Sequence, residues 1–207
     1  QSEEGWRQNA DYLLGNGVVR GWRSVGAGRL EGGLYLYGSD WNSPGFVSVD
    51  RYNQGDLEAA TDTTDGGDGQ RYIGTLRYGL PLGPKTTLDA QLWGQLAQST
   101  VFLTLPEDDV LRQTAERDDR EALGFQALLN RATDDGEFSL GASGRADWTS
   151  YTLDETVQRE SLSAEQADEG RYQAIGLFAR WRGMLGTRFL YDLGLRGDQA
   201  RPRGSAR

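Results

Sequence analysis

The stretch that decides the fold is TTLDAQLWGQLAQ, residues 86–98. Leu88, Ala90, Leu92, Gly94 and Leu96 fall on one side of it, and Thr87, Asp89, Gln91, Trp93 and Gln95 fall on the other. A period of two is that of an extended strand whose side chains alternate between two faces. Here one face is apolar and uncharged and the other is polar. Residues 137–151 repeat the pattern as cleanly. Phe138, Leu140, Ala142, Ala146 and Trp148 alternate with Glu137, Ser139, Ser143, Arg145 and Asp147.

Outward from these two segments the same alternation recurs, in about eight strands altogether. They are expected at residues 9–23, 29–39, 71–80, 86–103, 120–131, 137–151, 171–181 and 188–200. Ile73, Leu128 and Phe178 break the alternation of their strands. Short connections rich in Gly or Pro, at residues 24–28, 81–84, 133–136 and 183–187, follow every second strand. At 133–136 the Asp135-Gly136 pair suits a hairpin turn with positive φ. The other junctions are long and polar: residues 40–70, 104–119 and 152–170, the last with helix formers at 161–169 that leave room for a short helix. Connections this long are usually functional or disordered.

Composition narrows the function classes. The chain has 207 residues, a net charge of −9, 29 Gly, and neither Cys nor His. The negative charge and the lack of a basic stripe argue against nucleic acid as a partner. Without Cys there is no disulfide, thiolate metal site or Cys nucleophile. Without His the usual general base and the commonest zinc ligand are missing. The carboxylate clusters all fall in expected loops, where solvated surface is the simpler reading, so the chain reads as a non-enzyme that needs no cofactor. No apolar run approaches the roughly 18–20 residues of a membrane helix. That leaves membrane strands open, because they place only alternate residues on lipid.

Charge assigns the faces. An Arg or Lys facing lipid costs about 2–4 kcal/mol at the bilayer midplane. The apolar faces of the fourth, sixth and eighth strands are free of charge over their central spans, while Asp89, Arg145, Asp147, Asp192 and Arg196 share the opposite faces. Tyr72, Trp148, Tyr151, Trp181 and Tyr191 lie near strand ends, where aromatic girdles sit. Short turns at one rim and long loops at the other are the pattern of an antiparallel transmembrane β-barrel. If the short turns are periplasmic, both ends of the chain lie outside the cell, which suits a segment of a larger barrel rather than a closed eight-stranded one.

GRLEGGLYLYGSDW (28–41), SDWNSPGFVSVDRYNQG (39–55), FARWRG (178–183) and LYDLGLRGD (190–198) carry a further reading. With them the chain resembles, over most of its length, the barrel domain of TonB-dependent outer-membrane receptors. The resemblance implies a barrel of roughly 22 strands, plugged by an amino-terminal globular domain and seated in the bacterial outer membrane. It implies partners too: outer-membrane lipid, a small ligand such as an iron chelate, and an inner-membrane energy-coupling complex acting through the plug. Residues 1–207 would then be one partial barrel domain, since neither a plug nor the coupling motif is recognisable in them.

The ligand candidates lie in the first long segment. Trp41, Phe46 and Tyr52 offer stacking faces, and Arg51 offers a guanidinium for a carboxylate or catecholate. The same residues could equally fold the loop on itself. Asp62, Asp65 and Asp68 are spaced unlike a calcium loop, so no metal site is expected and a flexible acidic loop is the preferred reading. The acidic loops would repel an anionic chelate unless Arg51, Arg71 and Arg77 focus positive potential. Three functions stay open: an importer of a scarce ligand such as a ferric siderophore or cobalamin, a passive porin or structural barrel, and a soluble carbohydrate-binding β-sandwich.

Overall fold

The computed structural model describes residues 2–3, 5–107, 110–186 and 188–206. They form one antiparallel sheet in sequence order. A two-residue strand β1 (Ser2–Glu3) begins it, followed by β2 (Tyr12–Val25) and β3 (Gly28–Asn42). A short helix α1 (Val49–Gln54) precedes β4 (Gly66–Gly83) and β5 (Thr86–Glu107). β6 (Val110–Ala132), β7 (Gly136–Val157), β8 (Glu160–Leu185) and β9 (Phe189–Ala206) complete it. β2 and β9 are not paired to one another, so the sheet is open.

The alternation sets the burial. Leu92 and Leu96 are 54% and 53% exposed, and Leu34, Leu76, Leu123, Leu140, Ile175, Leu177, Leu193 and Leu195 on the same face are also exposed. A soluble sandwich would bury this face under a second sheet, and the described residues contain only one sheet. The apolar face is therefore an outer wall.

The register records how the strands tilt. One continuous row of cross-strand partners runs Val19, Leu34, Gly74, Gly94, Leu123, Ala146, Gln173, Arg201. It begins within the apolar part of β2 but ends on a charge, because the exposed leucines on this face of β9 are Leu193 and Leu195, six to eight positions nearer the short-turn rim. The apolar band slips by roughly one residue per strand. At about 3.3 Å per residue and about 4.8 Å between strands, that slip is a strand tilt of about 35°. A tilt of this size belongs to strands wound around a barrel.

The abundant glycine has a packing role. At five places an aromatic ring lies over the glycine directly across the ladder: Trp41 and Gly67, Trp93 and Gly124, Phe125 and Gly144, Phe178 and Gly141, Tyr191 and Gly183. In each pair a Cβ on the glycine would strike the ring, at 2.6 Å from Trp41 Cζ2 for Gly67 and 2.5 Å from Trp93 Cε2 for Gly124. A ring laid over a partner glycine covers that strand's bare backbone. Phe178, an exception in its strand's alternation, faces inward and lies on Gly141 with the Arg196 guanidinium above it at 5.7 Å.

Several sequence expectations are corrected. Residues 104–119 and 152–170 are not polar loops: β5, β6, β7 and β8 run on as long hairpins, although residues 108 and 109 lie outside the described set. Residues 161–169 are strand, not helix. Their pairing with β7 is held through two register shifts, near Leu153/Asp154 and Glu155/Thr156, and this ladder outweighs weak helix propensity. The first full strand starts at Tyr12 rather than residue 9, and α1 falls in a segment expected to be loop. Gly136 does not have positive φ; it is needed because a Cβ would strike the Arg182 carbonyl oxygen.

Gly141→Val should destabilise the fold by about 1–3 kcal/mol through the collision with Phe178. Adding Phe178→Ala should return part of the loss. Urea unfolding from detergent micelles measures both effects.

Candidate functional site

The inner wall is built from paired charges. Arg77 donates to Asp89 at 2.7 Å, and Arg196 donates to Asp198 at 2.7 Å. Arg180 pairs with Asp192. Asp147, only 4% exposed, accepts from Arg120 at 2.9 Å and from Arg145 at 2.5 Å. Such pairs on adjacent inward positions leave the wall polar but nearly neutral, and each buried carboxylate keeps its cation close.

Near the long-hairpin rim this wall opens into a hollow of about 570 Å³, within the roughly 300–1,000 Å³ of small-molecule sites. Tyr37, Ser39, Trp41, Arg71, Gln95, Ser99, Asp118 and Arg120 line it. Period two explains why these side chains meet: Tyr37, Ser39 and Trp41 are alternate residues of β3. Tyr37 is the direct partner of Arg71, and Ser39 faces Gly69, which in turn faces Ser99. The Trp41 indole is fixed in place over Gly67. Arg71 has no ion-pair partner among the described residues, unlike Arg120, which is already committed to Asp147. The hollow thus offers two aromatic rings, small hydroxyls, one uncommitted guanidinium and the Asp118 carboxylate, a set suited to a polar, oxygen-rich small molecule.

Of the four residues singled out in the sequence, Trp41 alone lines this hollow. Arg51 sits on α1 and donates to the Ala60 carbonyl at 3.0 Å. The Phe46 carbonyl accepts from the Thr61 hydroxyl. Tyr52, 66% exposed, lies on α1, which Ser48 caps at one end and Gly55 closes at φ 77° at the other. Arg51 and the Phe46 backbone hold the segment on itself.

A buried polar knot fastens this segment to the hairpins. Asp65, fully buried, accepts from Thr104 N at 3.1 Å, Thr104 Oγ1 at 2.7 Å and Gln113 Nε2 at 3.0 Å. Gln113 Oε1 in turn accepts from Thr156 Oγ1 at 3.2 Å and Arg159 N at 2.9 Å. Arg159, at the tip of the β7–β8 hairpin with φ 69°, donates to the Thr64 carbonyl at 2.7 Å and to Asn42 Oδ1 at 3.2 Å. From the other side Arg7 donates to the Gly45 and Ala59 carbonyls, and Asn9 donates to the Ser43 and Asp65 carbonyls. The expected flexible acidic loop is therefore a folded cap. Asp62 accepts from Thr64 N within its own turn, Asp65 is satisfied by the hairpins, and Asp68 is a β4 residue opposite Asp40.

Sequence reasoning named Arg71 as one of three arginines able to focus positive potential, but did not place it beside Trp41, and it missed Tyr37 and Arg120. The signal was present, since Tyr37 and Trp41 are four residues apart in one alternating strand. Gln113 and Arg159 carried no comparable signal, because their partners lie far away in the chain.

Asp65→Ala should leave the sheet intact and loosen the cap, because it leaves the Thr104 amide and hydroxyl without their acceptor and removes one of the two acceptors of the Gln113 amide, which keeps Thr64 Oγ1. Amide hydrogen exchange in residues 43–65 should rise at least tenfold, which corresponds to about 1.4 kcal/mol of lost protection.

No family model matches the sequence, and no curated protein matches it by sequence. The fold has relatives among solved structures. The unliganded ferric citrate transporter FecA superposes with a TM-score of 0.80 at 13% identity, over 97% of this chain and 31% of that one. BauA, the ferric preacinetobactin receptor from Acinetobacter baumannii, superposes with a TM-score of 0.63 at 9% identity, over 99% of this chain and 36% of that one. The chain spans about a third of the length of these proteins, and what it shares with them is the fold of a transmembrane barrel wall.

Proposed function

We propose that the chain is a partial barrel domain of a TonB-dependent receptor in the bacterial outer membrane, and that the parent protein captures and imports a scarce ligand such as a ferric siderophore or cobalamin. The observation that carries this reading is the inward hollow of Tyr37, Trp41 and Arg71 at the long-hairpin rim, on a wall whose tilt and outer band suit a wide barrel. The likeness to two barrels whose names record ferric ligands supports it. The ladder edges of β9 and of β2 beyond its short pairing with β1 are free, which supports a larger barrel, since unpaired backbone is not tolerated in hydrocarbon. Membrane lipid contacts the leucine face, and energy coupling runs through a plug supplied by another part of the parent.

In this reading the wall residues bind and orient the ligand; they do no chemistry. Arg71 meets an anionic oxygen of the ligand, and Trp41 and Tyr37 supply flat apolar contact. The folded cap keeps Phe46 and Tyr52 at the outer surface, where they can meet ligand before it descends to the hollow.

The test is uptake of radiolabelled ferric citrate, ferric catecholate and cobalamin by cells that express the parent protein. Arg71→Ala and Trp41→Ala should each lower the affinity for the transported ligand by about tenfold, as expected for losing a charge-assisted bond or an aromatic contact of about 1.4 kcal/mol. Uptake that both variants leave unchanged contradicts the site. Diffusive, unsaturable uptake that persists without the proton-motive force contradicts active import and favours a passive pore.

A further inference from the structure

On the outer face of the sheet, one row of cross-strand partners runs Glu121, Trp148, Arg171, Arg203. It lies on the long-hairpin side of the exposed residues Leu123, Ile175, Leu177 and Leu195. Arg171 and Arg203 are therefore directly opposed across the β8–β9 ladder, and Arg201 points to the same face one step below Arg203. Like charges directly opposite one another destabilise a ladder unless something neutralises them. All three arginines are exposed, and among the described residues none has an ion-pair partner. The Arg171 guanidinium is held 5.5 Å over the Trp148 ring, which separates it from Glu121 along the row.

We propose that Arg171, Arg201 and Arg203 form a docking patch for the phosphate groups of an outer-leaflet lipid. This rests on the membrane reading above and goes beyond it by naming the lipid chemistry and the residues. Position gives the first argument: this face meets acyl chains at Ile175 and Leu177, so the next turn of side chains toward the outer rim meets headgroups. Charge gives the second, because a phosphate shared between opposed guanidinium forks neutralises both and accepts bidentate bonds from each. Trp148 gives the third: an indole at the edge of an apolar band marks the boundary between chains and headgroups. The hollow at the patch, about 540 Å³, is lined by Trp148, Arg171 and Arg203 together with Asp119, Glu121 and Glu169.

The test uses the parent barrel in zwitterionic detergent micelles, titrated with bisphosphorylated lipid A, with its dephosphorylated form and with inorganic phosphate, and read by thermal shift. The phosphorylated lipid should bind at least tenfold tighter than the dephosphorylated one. Replacing all three arginines with Gln should weaken phosphorylated-lipid binding by about a hundredfold, at about tenfold or less per charge. Replacing all three with Lys should retain most of the preference. Equal binding of the two lipids, or a Gln variant that binds as the wild type does, overturns the proposal. Inorganic phosphate alone producing the full shift overturns the assignment to lipid. Failure of the barrel to fold in micelles counts against the membrane reading itself, whereas a folded barrel without phosphate preference overturns only the patch. Ferric chelate uptake by the Gln variant should be unchanged, because the patch faces away from the inner hollow.

Discussion

A backbone amide inside hydrocarbon has no water to bond, and the rest of this molecule follows from that constraint. Each of the eight long strands is paired to its neighbour in sequence, so the polar backbone is satisfied within the sheet except along its two outer edges. Once the ladder is fixed, side chains can only alternate, and the two faces must differ as their surroundings do. Leucine predominates on one face, ion pairs, glutamines and serines predominate on the other, and glycine serves both. The slip of the apolar band by about one residue per strand is the same constraint seen across the sheet, because tilted strands must shift their greasy segments to keep them level in a bilayer.

Two packing devices let the wall hold its shape without a conventional core. Aromatic rings laid on partner glycines supply contact area between neighbouring strands, both toward the interior at Trp93 and Phe178 and toward the outside at Phe125. Inward charges are arranged as near-neighbour pairs, so a carboxylate as enclosed as Asp147 has two guanidiniums to meet it. Within the hollow Arg71 is an uncommitted cation beside two aromatic rings and the Asp118 carboxylate. The hairpins beyond the band carry a different chemistry. The Asp65, Gln113 and Arg159 knot is fully hydrogen-bonded, and it turns a Gly- and Asp-rich stretch into a cap with a defined position.

Much of the sheet was legible in the sequence because a period of two is a strong local signal, and residues 86–98 and 137–151 carried it almost without error. The direction of the faces was legible for the same reason, since over the central spans of the clearest strands the charges fell on one parity. The hairpin extensions were not legible. Residues 104–119 and 152–170 are acidic and polar on both faces, so their alternation vanishes although their backbone pairing does not. Phe178 looked like an error in the pattern because its reason, Gly141, lies on the neighbouring strand. Of the four residues singled out as ligand candidates, Trp41 lies on the alternating strand and lines the hollow, whereas Arg51 and the Phe46 backbone are bonded within the folded segment, a pairing that local sequence does not display. Contacts such as Arg159 to Thr64 join points far apart in the chain and leave no short-range trace.

The central claim is that even-numbered positions of β5 face lipid and odd-numbered positions face an aqueous interior. The chain contains no cysteine, so single cysteines can be placed one at a time at residues 88–97 of the parent barrel and spin-labelled in lipid vesicles. Accessibility to oxygen and to a water-soluble nickel chelate should then oscillate with a period of two and in opposite phase, with oxygen highest at 88, 90, 92, 94 and 96 and the chelate highest between them. A chelate that reaches both parities equally, or labels on both that are shielded from oxygen and chelate alike, would contradict the account.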